Sequence, residues 1–166
     1  MTCRLLAAAV LAACGLGLTN CPAAEKSTKP APGAAAESSI QYVPLDAPAA
    51  MSQAVIVQGF PLVHTRQLLP LDSAGNLAGE GSADQQIEQV LTNLEAVLKD
   101  CGSGLDKLVR LNIYALAPAT VDRLRELLNQ RLDPSVRPAI TSVLTPLPHR
   151  KALVALDAVA AGADQG

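Results

Sequence analysis

The stretch Ser82–Leu116, SADQQIEQVLTNLEAVLKDCGSGLDKLVRLNIYAL, holds both periodicities from which the fold is read. In its first half Ile87, Val90, Leu91, Leu94, Val97, Leu98 and Cys101 recur at the spacing of one helical face. Ser82 and Gln85 stand at capping-box spacing, so the hydroxyl and the amide are expected to satisfy free amides reciprocally. Gly102 supplies the left-handed stop. Cys101 closes the apolar face and is expected to be a small buried hydrophobe. In the second half, from Lys107 to Leu116, the period switches to alternation. Val109, Leu111, Ile113 and Ala115 share one face, and Arg110, Asn112 and Tyr114 the other, as in a strand.

Working outward, Gln53–Val57 and Leu62–Leu71 read as strands, the latter ending at the turn cluster Asp72-Ser73-Ala74-Gly75-Asn76. A second helix is expected from about Thr120 to Leu132. It turns Val121, Leu124, Leu128 and Leu127 to the sheet and stops at Asp133-Pro134. Strands near Pro138–Thr145 and Lys151–Ala161 close the domain. The order β-β-α-β-α-β-β predicts an α/β (α+β) fold in which two helices cover one face of a mixed sheet. The other face is then left bare, which predicts an oligomer.

The N-terminus has a different character. Arg4 is followed by an uncharged run, Leu5–Leu18, too short for a permanent membrane helix, which needs about 20 apolar residues. It suits a signal segment over residues 1–24, with a cleavage point near Cys21-Pro22-Ala23-Ala24. Leu11-Ala12-Ala13-Cys14 also resembles a lipobox in which Cys14 would be acylated, and both readings stay open. Either predicts export to the periplasm or envelope. Residues 25–50, rich in Ala, Pro, Ser and Lys, read as a flexible tether in which Ile40–Leu45 could add a short strand. The folded domain is expected over 51–166.

A formal charge of −2 and only Tyr42, Phe60 and Tyr114 as aromatics leave nucleic-acid binding without its usual drivers. No CxxC or His-rich spacing points to a metal, and nothing implies a cofactor. His64 and His149 each lack an orienting partner in sequence, and no nucleophile–base pair is identifiable by spacing.

The wording of the chain from about Met51 to Ala161 resembles the RidA/YjgF/YER057c family of reactive-intermediate deaminases. The resemblance rests on an ordered set: Ser52-Gln53-Ala54-Val55, Gln67 through Gly75-Asn76, Gln89–Leu98, Leu108-Val109-Arg110-Leu111, Arg137-Pro138-Ala139, and Leu147-Pro148 leading into Ala152–Ala160. It implies a chorismate-mutase-like fold assembled as a homotrimer, with ligand sites in clefts between subunits. It also implies hydrolysis of enamines and imines of the 2-iminobutanoate/2-iminopropanoate type. In that family an Arg following Pro-Ala grips the substrate carboxylate, a role suited to the fixed fork of a guanidinium.

Here that position is Ile140. Met51 replaces the expected Tyr, Ala155 an acid (Asp157 keeps the next one), Thr65-Arg66 a Ser-Gly pair, and Asp122 an Asn. A carboxylate clamp cannot survive replacement of its Arg by Ile. Arg66 is the candidate replacement cation, against the plainer reading of a solvated surface side chain, and Arg137 lies three residues before the lost Arg. The ligand-binding candidates are therefore Thr65, Arg66, Ile140, Ala155 and Asp122. Three functions follow: a small anionic or carbonyl metabolite binder with weak or no imine hydrolysis, an active deaminase with a rearranged site, or an exported trimeric scaffold. Export lowers the expectation of deaminase work, because the imines arise from cytoplasmic pyridoxal-phosphate chemistry.

Overall fold

The computed structural model describes residues 38–45 and 51–163, so the signal segment, the Cys14 lipobox and most of the tether lie outside the described residues. The elements run β1 (Ser39–Pro44), β2 (Ser52–Gln58), β3 (Leu62–His64), α1 (Ala83–Asp100), β4 (Leu108–Ala115), α2 (Pro118–Arg131), β5 (Ala139–Leu144) and β6 (Val154–Ala161). β1 and β2 form an antiparallel pair, and the other strands form a four-stranded sheet ordered β3-β6-β4-β5, parallel only between β4 and β5. The Ser52 amide donates to the Pro138 carbonyl at 3.2 Å and ties the start of β2 to the start of β5. Two helices pack on one face of a mixed sheet, as the alternating periodicities require.

The core lies between helices and sheet. Ile87, Val90, Leu91, Leu94 and Leu98 of α1 and Val121, Leu124, Leu127 and Leu128 of α2 are buried against Leu111, Ile113, Leu156 and Ala158. Among the described residues no helix is long and apolar enough to cross a membrane.

Local chemistry moves several expected boundaries. The short strand that Ile40–Leu45 could add within the tether is present as Ser39–Pro44; Tyr42 anchors it by packing on the core and donating its hydroxyl to the Leu108 carbonyl at 3.0 Å. The strand expected over Leu62–Leu71 stops at His64. Thr65 pairs with Ala158 and Leu68 with Leu156, so three steps on one side face two on the other and Arg66-Gln67 are pushed outward. Pro70 then has no amide with which to resume the ladder.

In β4 a bulge between Leu108 and Arg110 shifts the phase. Leu108, fully buried, takes the core position expected of Val109, which is only partly buried. The capping box is half made: Ser82 Oγ accepts the Gln85 amide at 3.4 Å, whereas the Ser82 amide donates to the Gly79 carbonyl. Cys101 is exposed rather than buried, because it has left helical geometry as the C-cap (φ −92°, ψ 11°) ahead of Gly102 at φ +70°.

Candidate functional site

The bare sheet face carries an organised polar row. Antiparallel register places Asn112 opposite Asp157 and Tyr114 opposite Ala155. The Asp157 carboxylate accepts from Asn112 Nδ2 at 2.8 Å and from the Tyr114 hydroxyl at 2.8 Å, so each of its oxygens is held. Arg110 Nε donates to Asn112 Oδ1 at 3.2 Å and extends the row toward β6 residue Val159. Ala155 is fully buried, and its small side chain beside Tyr114 lets the phenol reach the diagonal Asp157. His64 lies on the same face opposite Val159, with Leu62 and Val143 exposed at 48% and 41%.

The hydrogen bond to Asp157 raises the Tyr114 pKa, with desolvation adding to it. A phenol whose folded pKa lies above its unfolded value of about 10 contributes stability that is complete below that value and lost as pH rises through the folded pKa. Wild type should therefore exceed Tyr114→Phe by about 1 kcal/mol or less at pH 7. The difference should vanish in denaturant titrations run progressively above pH ~10. A gap independent of pH would show that the phenol proton is not what the carboxylate holds.

The sequence-derived candidates divide between places. Thr65 is tied to β6: its amide donates to the Ala158 carbonyl and its hydroxyl accepts the Ala158 amide, both at 2.9 Å. Arg66, exposed by the bulge, stands at the rim of a cavity of about 680 Å³ that also borders Gln67, Leu69, Asp72, Gln89 and Asn93. The amides there are already committed. Asn93 Nδ2 donates to the Leu69 and Leu71 carbonyls at 3.0 and 2.9 Å, and Gln89 donates to Asn93 at 2.9 Å. Ile140 pairs with Leu111 in register and packs on the core, on the helix side of β5. Asp122 is exposed on α2.

Arg66 follows β3 and Ile140 lies in β5, the two outer strands of the sheet, three strand spacings or about 14 Å apart. Within one chain these residues do not share a site, and only a boundary between copies could bring them together. His149 sits in the turn before β6, where its Nδ1 accepts the Lys151 amide at 3.3 Å. Among the described residues no cluster of three or more His, Cys, Asp or Glu side chains could hold a metal ion.

Two residues that the sequence pattern does not single out are prominent in the structure. Gln86, fully buried, binds backbone groups of the segment leading into β6. Arg125 of α2 donates from Nη2 to Ser142 Oγ of β5 at 3.1 Å, and its buried Nε has no partner among the described residues. Its position beside Leu124 and Leu128 of the buried helical face was the available signal.

Comparison with known proteins fits this architecture. The family model described as Endoribonuclease L-PSP matches residues 43–162. A "RutC family protein" from Synechocystis sp. is 30% identical over 110 residues, which is 66% of this chain and 83% of that protein. A Yersinia pestis protein of the conserved Rid family superposes with a TM-score of 0.62 at 23% identity, over 74% of this chain and 98% of that one. A Thermotoga maritima protein described as a "putative endoribonuclease" gives a TM-score of 0.53 at 28% identity, over 74% and 98%. With the family match spanning the domain from late β1 to the end of β6, the chain belongs to the Endoribonuclease L-PSP family, that is, the RidA/YjgF (Rid) family.

Proposed function

We propose that this protein is a divergent Rid-family binder of a small anionic or carbonyl metabolite, held in clefts between copies of the chain, with weak or no imine deaminase activity. The observation that carries the reading is the side chain after Pro138-Ala139. Ile140 offers no donor and spends its surface on the core, so the strand that bears the family's carboxylate grip has none of its own. Homotrimer assembly follows the family pattern and the half-exposed Leu62 and Val143 on the uncovered sheet face. Export, with or without a lipid on Cys14, follows from the N-terminal sequence and is checked by fractionation. The endoribonuclease wording attached to the family does not carry over, because a net charge of −2 supplies no basic footprint for a polyanion.

An active imine hydrolase with a rearranged site is the second reading. Asp157, held by a phenol and an amide on the face where copies would meet, favours it. Turnover of enzymatically generated 2-aminoacrylate by the purified chain separates the two. We expect a rate within about tenfold of the spontaneous one, alongside saturable binding of pyruvate or 2-oxobutanoate. An enhancement approaching the millionfold or more typical of enzymes would establish the deaminase.

A further inference from the structure

Helix α2 carries three arginines, and the fold treats them differently. Arg123 forms a fork with Asp84, both contacts at 2.9 Å, and meets Glu126 at 3.0 Å. Arg131 pairs with Glu88 and with Glu95, the latter at 2.7 Å. Arg125 points to the other neighbour, β5, and has no carboxylate partner among the described residues. Asp122, one turn earlier on α2, forms no ion pair with it. Two buried side-chain polar atoms lack a hydrogen-bond partner among the described residues, Arg125 Nε and Ser52 Oγ, and both residues border β5.

A guanidinium removed from water on one side and given no counter-ion is unfavourable, and an anion is the chemistry that relieves it. The surroundings narrow the class. Alternation along β5 puts Ile140, Ser142 and Leu144 on the face that looks toward α2. Ile140 and Leu144, the latter 55% exposed, flank the Ser142 hydroxyl with aliphatic surface. Guanidinium and hydroxyl donors together suit the two oxygens of one carboxylate, and the flanking hydrocarbon suits a short alkyl or acyl chain. A dianionic phosphate would find one cation and an apolar wall.

We propose that Arg125, with Ser142, receives the carboxylate of a short-chain monocarboxylate against Ile140 and Leu144. The positive charge absent at position 140 is supplied from the helix packed over the same strand. The inference rests on the metabolite-binding reading above and assigns its anion subsite to this edge rather than to Arg66.

The test uses the purified full-length chain with acetate and pyruvate as probes, and methyl pyruvate as a neutral comparison. Binding isotherms are recorded together with the Arg125 Nε–Hε resonance. Both carboxylates should shift that resonance. Arg125→Gln should weaken pyruvate binding by about 10- to 100-fold and leave methyl pyruvate unchanged. Arg125→Lys should retain part of the affinity, and Arg66→Ala should leave it intact. Pyruvate binding that ignores Arg125→Gln, or that Arg66→Ala removes instead, overturns the assignment while the binding reading stands. Absence of any keto-acid binding, with the resonance unmoved by acetate, ends both. Because the resonance is read on the unaltered chain, the outcome does not depend on the variants folding.

Discussion

Gln86→Leu should lose about 2–4 kcal/mol of folding stability, lowering the thermal midpoint by ~10 °C, although it exchanges a polar side chain for an apolar one of similar size in a buried place. The reason is a set of backbone partners. Gln86 Oε1 accepts the Leu153 amide at 2.7 Å, and Nε2 donates to the carbonyls of Lys151 at 3.0 Å and Gly79 at 3.4 Å. One fully buried amide therefore joins the loop before α1, the first turn of α1 and the entry to β6. Leucine fills the volume and leaves the Leu153 amide and the Lys151 carbonyl without their partner, while the Gly79 carbonyl keeps the Ser82 amide. Each such group costs roughly 1–3 kcal/mol when water cannot replace the bond. Gln85→Leu is the matched control: its side chain is exposed, so a change within about 0.5 kcal/mol is expected from denaturant midpoints. Equal, small losses for both variants would mean that solvent reaches the Gln86 partners and that the joint is not structural.

The contrast between Gln85 and Gln86 shows what the sequence can and cannot carry. Helix α1 was legible because its evidence is local: apolar residues at helical spacing, a capping serine and a terminating glycine all lie within one segment. The two glutamines are indistinguishable in that local pattern, and Gln86 differs through its backbone partners, two of which lie about 65 residues away. Cys101 failed for a related reason. Periodicity extends the buried stripe to it, but the chain leaves helical geometry there and turns the thiol outward.

The candidate site divides the same way. That position 140 lacks a cation was plain from the order of residues. Where the Ile140 side chain goes depends on its register with Leu111, and Arg125 becomes distinctive only when α1 takes the other two arginines of α2 into ion pairs. Sequence neighbours reveal composition; the crossing of helices and the phase of strands decide which charges stay uncompensated. Arg66 illustrates this from the opposite side. Its neighbours read as strand from Leu62 to Leu71, and a single extra residue against β6 expels it to the rim of a cavity.

That phase is open to measurement in β4. Leu108→Ala should cost about 2.5–5 kcal/mol, whereas Val109→Ala should cost about 1 kcal/mol or less. Strict alternation from Leu111 predicts the reverse order, since it puts Val109 on the core face and Leu108 on the open one. The structure inverts the pair because Leu108 faces Ala160 and Arg110 faces Val159, so two steps on β4 match one on β6 and Val109 is the extra residue. A 3-10 turn at Leu105–Lys107 feeds the strand, its Leu105 carbonyl taking the Leu108 amide, and the Tyr42 hydroxyl binds the Leu108 carbonyl. These bonds fix the Leu108 backbone, and its side chain enters the core without exposure. Truncation there removes buried methyl groups and leaves a cavity that the surrounding Leu and Ile side chains cannot fully close. Val109, with solvent on one side, leaves no enclosed void. Urea midpoints of the two variants, with the m-value held in common, decide the matter. Should Val109→Ala prove the more damaging, β4 would run without its bulge, and the register that brings Asn112 to Asp157 and Tyr114 to Ala155 would have to be redrawn.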